Sequence, residues 1–508
     1  MEYEYYTLKN GQTITSEEHV KLMYKLLKLK PHMKFDYQWN DVGLGNLFAE
    51  CYSDRLRFCI DNGKWYYYDN GVWLKDKANM ETQSLMQILL QMLGLYIKEV
   101  TNEDDEDELA IMKNYKAYIN KSSSTPIIKR AIEAAGNSMR INLTDFDSNP
   151  YLLNCTNGVY DMQTLSFRQA RPDDYLSLQT DTPYYESFKI RGHECKKWYK
   201  FIDEITCGNK EKARFLQKAL GYSLLGDNLE ECMFIAFGKT RSGKGTLFNT
   251  VANVLGINKD NGYGATINPN FICERRNGME RDVNAPEPAL ASCVGKRYLT
   301  LSETKQNALL DVNAIKQYTG RDSVKTRTLH SEPISFIPPF TMWLSTNFYP
   351  LVNDHTIFES DRIYVVTFDK HFEKDQRDTT LKLELIKPEN KPTILKWLID
   401  GFVMYSKEGL NPPQCVIDAT EEYARMNDTV LCFKLDCLED VDGEFTSNTA
   451  LYTAYKKWCD DAEREYNYLG SKTFYKNMRR FYSPLKRNGI TGFINVKLKN
   501  NMNDVIIK

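Results

Sequence analysis

Read for the spacing of its apolar residues, the chain changes period several times. Residues 61–76, DNGKWYYYDNGVWLKD, alternate aromatic and polar positions between Asn-Gly pairs at 62–63 and 70–71. Asn-Gly tolerates the two positive φ values of a type I′ turn, so this stretch predicts a small hairpin or meander. Trp65, Tyr67 and Trp73 then either pack as one face of the hairpin, the favoured reading, or stack on nucleobases. The acidic run NEDDEDE, 102–108, reads as a solvated linker or helix start, and KSSSTP, 121–126, as a loop that ends in a helix cap. From there to about 228 helical patterns dominate, including KARFLQKALGYSLLG.

The period then shortens. ECMFIAFG, 231–238, is an apolar run of strand length, and TLFNTVANVLG after it returns to helical spacing. KRYLTLSE, 296–303, and FTMWLSTN, 340–347, are two further buried-strand patterns, and TILKWLIDGFVMYSKEG, 393–409, is an amphipathic helix that closes the region. Towards the end, helices around LYTAYKKWCDDAERE and SKTFYKNMRRFYS precede the apolar ribbon GITGFINVKL, which predicts a winged-helix-like domain.

Between the strand at 231–238 and its helix stands GKTRSGKGT. Gly, four residues, then Gly-Lys is the spacing of a phosphate-binding loop, and strand, glycine loop, helix is the context it requires. Backbone N–H groups of residues 239–245 and the positive end of the helix would surround phosphates, with Lys244 as a point charge. Gly238 and Gly243 let the backbone wrap without Cβ clashes. Gly245 stands where Ser or Thr would offer Mg²⁺ a hydroxyl; Thr246 comes one residue late, and whether it or water fills that place is open. Glu303 ends the second strand, where a carboxylate can polarise the water attacking a γ-phosphate. Asn347 ends the third, an amide suited to hydrogen-bond phosphate and water, although Asn at a strand end is also a common turn former.

Composition adds limits. At 508 residues the chain exceeds a single core and reads as three or four domains. No stretch of about 18 uncharged apolar residues exists, and the N-terminus lacks the basic-then-apolar pattern of a secretory signal; the expectation is a cytoplasmic protein with no membrane partner. The 12 cysteines form no C-x-x-C pair, which argues for reduced thiols and against zinc or disulfides. Net charge is −2, so any nucleic acid must be held by local patches. Residues 445–508 are such a patch, with twelve Lys or Arg against five Asp or Glu. Within it Lys472, Lys476, Arg479 and Arg480 are the candidates for touching duplex phosphates.

The order of loop, Glu strand and Asn strand resembles the superfamily 3 helicases, in particular the poxvirus-type and phage or plasmid primase-helicase family. The resemblance extends over PYLLNCTNGVYDMQTLSFRQARPDDYL (150–175), LQKALGYSLLG (216–226), IKQYTGRDSVKTRTLHSEPISFIPPF (315–340), STNFYP (345–350) and DRIYVVTF (361–368), and takes in roughly residues 40 to 480. It implies an AAA+-like ATPase that forms a ring, usually a hexamer, and translocates on single-stranded DNA at a replication fork. On that resemblance Lys244 and Thr246 hold phosphate and metal, Glu303 activates water, Asn347 senses the γ-phosphate and Arg362 is an arginine finger acting on a neighbouring subunit. The family often shows two arginines there, where this chain reads SDRI, and a surface salt bridge is the alternative. The stretch 320–332 resembles the family's DNA-contacting hairpin, with Lys325, Arg327 and His330 as its contacts.

The fold expectation is therefore an α/β P-loop AAA+-like ATPase core with helical N-terminal regions and a C-terminal winged-helix-like domain. Its bounds are an α+β domain over 1–125, a helical domain over 126–228, the ATPase over 229–410 and the basic domain over 411–508. The expected activity is ATP- and Mg²⁺-dependent unwinding of forked DNA at the origin of a phage, plasmid or genomic island. The first 140 residues show no metal-binding primase pattern, so a primase or loader would be a separate partner. Two other readings compete: an origin-binding initiator that uses ATP as an assembly switch, and a small-molecule kinase using RSGKGT.

Overall fold

The alternation at 61–76 folds into an antiparallel meander, and the aromatic residues choose the interior. The computed structural model describes residues 5–188, 194–274, 287–305, 308–326, 334–354, 356–461 and 469–499. These divide into two units, one of residues up to 161 together with 166–179, the other of the remainder.

In the first unit helices α1 (Glu17–Leu29) and α2 (Asp41–Tyr52) precede strands β1 (Leu56–Cys59), β2 (Lys64–Asp69) and β3 (Val72–Lys75). Helices α3 (Met80–Val100), α4 (Glu106–Ser122) and α5 (Thr125–Gly136) follow, then β4 (Arg140–Ile141). The sheet order is β3-β2-β1-β4, with β4 parallel to β1. The apolar stripe of α3, including Leu85, Leu89, Leu93 and Tyr96, is buried in the unit's largest core. Trp65 and Trp73 are 3% and 1% exposed, so neither offers a face to a nucleobase. The acidic run becomes a helix start: Asp105 accepts from the backbone N–H groups of Asp107 and Glu108 and caps α4.

The expectation that helices dominate 126–228 needs correction. Within it lie β4 and a second antiparallel sheet of β5 (Leu152–Cys155), β6 (Gly158–Asp161) and β7 (Ser166–Arg168). Each apolar run there is too short for a helix. Thr156 and Asn157 turn the chain between the first two, and Gly158 opens β6 at φ 151°, where a Cβ would lie 2.5 Å from Arg168 O.

The second unit begins with α6 (Lys196–Ile205) and α7 (Lys210–Tyr222). It then builds a parallel sheet from β8 (Met233–Phe237), followed by α8 (Lys244–Val254), β9 (Gly264–Ile267) and β10 (Tyr298–Ser302). After α9 (Val312–Thr319) a hairpin of β11 (Val324–Thr326) and β12 (Ile334–Phe336) leads to β13 (Thr341–Thr346) and β14 (Ile363–Thr367). The five parallel strands lie in the order β9-β10-β13-β8-β14. All but the edges are covered on both faces, which is why they read as continuous apolar runs. Trp343 of β13 is fully buried, stacks on Phe234 of β8 with ring centroids 4.5 Å apart, and donates its indole N–H to Ser223 Oγ at 2.9 Å. Helix α10 (Lys391–Glu408) packs against α7.

Helix α11 (Gln414–Asn427) places Ala419 and Tyr423 in the core of the parallel sheet. The core of the basic domain starts only at Val430. The boundary expected at 410/411 therefore moves to about Asp428, because α11 spends its apolar face on the sheet. Beyond it come α12 (Thr429–Cys437), β15 (Leu438–Ser447), α13 (Asn448–Asp461), α14 (Ser471–Met478), β16 (Pro484–Arg487) and β17 (Ile490–Leu498), with the strands in the order β15-β17-β16.

Candidate active site

Three neighbouring strands deliver the sequence-predicted residues to one end of the sheet. The glycine loop leaves β8, Asn347 follows β13 and Glu303 follows β10, and these strands pair in register: Phe237 with Thr346, Ser302 with Ser345. The ladder continues past the strand ends, with Gly238 N donating to Thr346 O at 3.3 Å and Glu303 N to Ser345 O at 2.8 Å. The carboxyl ends of parallel strands are where α/β sheets bind ligands.

The two glycines of the loop are needed for different reasons. A Cβ on Gly238 would lie 2.4 Å from Phe368 O, so the close approach to the neighbouring chain segment excludes any side chain. Gly243 precedes α8 at φ 91°, and its Cβ would stand 2.5 Å from Ile205 of α6. The loop is also held from outside: Phe372 N donates to Arg241 O at 3.0 Å, and His371 Nδ1 lies 3.1 Å from Thr240 O.

Lys244 is 6% exposed. Its Nζ donates to the carbonyl of Gly238, to Lys239 O at 3.1 Å, to Ser242 Oγ at 3.1 Å and to Asn347 Oδ1 at 3.1 Å. Burial lowers its pKa to about 8, against an opposing pull from the negative charge of Glu303. The lysine thus joins the loop to Asn347 directly and feels Glu303 through space. Asn347 is half-buried, and Glu303 is exposed at φ 51°, a left-handed conformation uncommon for a residue with a side chain.

The residues suit a phosphate chain with Mg²⁺. A Cβ on Gly245 would meet nothing within 4 Å, so the place of the usual hydroxyl is open, and half-exposed Thr246 stands beside it in the first turn of α8. Among the described residues no group of three or more His, Cys, Asp or Glu is placed so that it could hold a metal ion by itself.

Arg362 requires correction. Its Nη2 pairs with Glu231 at 2.7 Å, its Nη1 donates to Thr319 Oγ1 at 2.8 Å, and its side chain is 18% exposed. A finger that reaches a neighbouring subunit needs its guanidinium at the surface; here it ties the entry of β14 to α9 and to the residues before β8.

The expected DNA contacts divide. Lys325 is exposed on β11 between buried Val324 and Thr326, whereas Arg327 and His330 lie outside the described residues. In α14 Lys472 and Lys476 are exposed, as is Arg479 at its end. Arg480 is held at 2.8 Å by Asp428 and stacks over Phe481, so it is a structural contact first. Sequence reasoning missed Lys486 and Arg487, exposed at the tip of the β16–β17 hairpin, where Asn488 and Gly489 take φ values of 47° and 83°. The signal was present, since a basic pair leads straight into an Asn-Gly turn.

Known proteins share parts of this chain. The family described as D5 N terminal like matches residues 45–207, and the family described as Poxvirus D5 protein-like matches residues 425–507. A protein of Acanthamoeba polyphaga mimivirus named "Putative helicase L207/L206" is 26% identical over 453 residues, covering 83% of this chain and 45% of the relative. Primase D5 of fowlpox virus is 24% identical over 336 residues, covering 63% of this chain and 38% of the relative. The chain thus spans less than half the length of either. The apo structure of the NrS-1 C terminal region aligns over 87% of this chain and 96% of its own, with TM-score 0.44 and 10% identity. The chain thus carries a D5 N terminal like region and a Poxvirus D5 protein-like region, and with its relatives in large DNA viruses this is consistent with the poxvirus-type superfamily 3 family that its motifs resemble.

Proposed function

We propose that the chain is the motor part of an ATP-dependent DNA helicase acting in replication. The observation that carries this reading is the convergence of Lys244, Asn347 and Glu303 at the ends of adjacent parallel strands, with the lysine amine bonded to the Asn amide. A glycine loop on an interior strand of a parallel sheet supports a P-loop, AAA+-like core. The relatives named as helicases support nucleic acid as the partner.

In this reading ATP is the substrate. The loop N–H groups and Lys244 hold its phosphates, Glu303 orients and deprotonates the attacking water, and Asn347 hydrogen-bonds the γ-phosphate. Mg²⁺ bound with the nucleotide would be held by phosphate and water, with the Thr246 hydroxyl as the candidate protein ligand, and would supply charge neutralisation. Helices α13 and α14 followed by the β16–β17 hairpin support a winged-helix-like domain that grips duplex DNA, with Lys472, Lys476 and Arg479 on α14 and Lys486 and Arg487 on the hairpin. A homo-oligomeric ring, translocation on single-stranded DNA and work at an origin complete the proposal.

The test is ATP-dependent unwinding of a forked duplex by the purified chain beside Lys244→Ala. Unwinding that the variant loses identifies the motor. ATP turnover without unwinding, even on single-stranded tails, would favour an initiator that uses ATP as an assembly switch. No turnover by the unmodified chain would refute the ATPase reading.

A further inference from the structure

The strand ends that carry Glu303 and Asn347 are tied by a pair of hydroxyl groups. Thr304 Oγ1 lies 3.0 Å from Thr346 Oγ1, and the two residues are 7% and 1% exposed. Thr346 Oγ1 also donates to Phe348 O at 2.7 Å and accepts from Phe348 N at 3.2 Å. A hydroxyl has one proton. With the proton of Thr346 committed to Phe348 O, the bond between the threonines runs from Thr304 to Thr346.

This direction makes Thr346 a three-way junction. Its side chain closes a tight turn around Asn347, through both backbone polar groups of Phe348. Thr304, one residue past Glu303, fastens onto the same oxygen. Glu303 is thereby gripped on both sides, by its own N–H to Ser345 O at 2.8 Å and by the Thr304 bond. A left-handed residue with a side chain persists only where its surroundings hold it so, and this grip is the holder in view.

We infer that Thr304 and Thr346 are positioning residues that set the placement of the Glu303 carboxylate relative to the Asn347 amide. The inference rests on the ATPase reading and adds to it two side chains that touch neither phosphate nor water. Geometry at strand ends matters because a displacement of about 1 Å at a reacting centre lowers turnover on the order of a hundredfold.

Steady-state ATP hydrolysis by the full chain tests it, using Thr346→Val, which keeps the shape and removes the hydroxyl, and Thr346→Ser, which restores it. The expected result is a kcat lower by about 10- to 100-fold in the valine variant, with the ATP KM within about twofold, and a serine variant within about threefold of the original. Thr304→Val should reproduce the loss, and the double valine variant should be no slower than the slower single, because both break one junction. Thermal unfolding of each variant runs alongside; if Thr346→Val does not fold, the serine variant and Thr304→Val carry the comparison. An unchanged kcat, an equal loss in the serine variant, or losses that multiply in the double variant would overturn the pair's role. If Lys244→Ala abolishes turnover while the valine variants keep it, this inference alone fails. If the unmodified chain hydrolyses no ATP, the parent reading falls and this one with it.

Discussion

Lys244 shows what burial does to a single residue. In water its amine would stay charged to far above neutrality; enclosed by loop carbonyls and Asn347 it loses its proton at about 8. Only the charged form attracts phosphate, and the charged fraction falls as pH rises through that value. ATP affinity should therefore weaken between about pH 7 and about pH 9, with proton uptake on binding at the upper end, measurable by isothermal titration in buffers of different ionisation heat. A pH-independent affinity across that range would contradict the assignment. The lysine was legible from its spacing, whereas its environment was not, because Asn347 lies 103 residues away in sequence. Arg362 is the converse. SDRI displays an arginine without its partner, and Glu231, 131 residues earlier, turns it inward.

At the scale of elements, periodicity identified the strands at 231–238, 296–303 and 340–347 because each is a long apolar run bounded by polar residues. It failed at 150–168, where strands of three or four residues carry too few positions to show a period. Helix α11 was not singled out in the sequence, and its allegiance to the parallel sheet depended on what Ala419 and Tyr423 touch. The junction after it rests on Asp428, which accepts from Leu431 N at 2.9 Å at the start of α12 and pairs with Arg480. Replacing Asp428 by Ala removes a helix cap and leaves the guanidinium without its acid, which should destabilise the basic domain by about 1–2 kcal/mol. Hydrogen exchange followed by mass spectrometry should show faster exchange in α12 and α14 with β8 and β13 unchanged.

For the whole molecule, charge is arranged locally. A chain of net charge −2 carries a basic C-terminal stretch, with exposed cations on α14 and the β16–β17 hairpin and, at Lys456 and Lys457, on α13. Duplex binding should thus be strongly salt-dependent. Replacing Lys472, Lys476, Arg479, Lys486 and Arg487 by Ala should flatten the plot of log affinity against log salt by about 0.9 for each phosphate that is no longer neutralised. Arg480→Ala should change that slope less, because its guanidinium is paired with Asp428. Fluorescence anisotropy on one duplex at several salt concentrations checks both, and an unchanged slope in the fivefold variant would remove this face as the DNA-binding surface.

By itself the sequence determined the parallel-strand core and named the residues proposed to carry the chemistry. A glycine loop between strand and helix is a local pattern, and buried parallel strands announce themselves by unbroken apolar runs. Tertiary structure alone decided which strands are neighbours, and so that Glu303, Asn347 and Lys244 meet. It also turned Arg362 inward, assigned α11 to the sheet and brought Thr304 onto Thr346. The physical reason is common to all of these: each outcome depends on contacts between residues far apart in the chain, and side-chain spacing carries only the information of a residue's near neighbours.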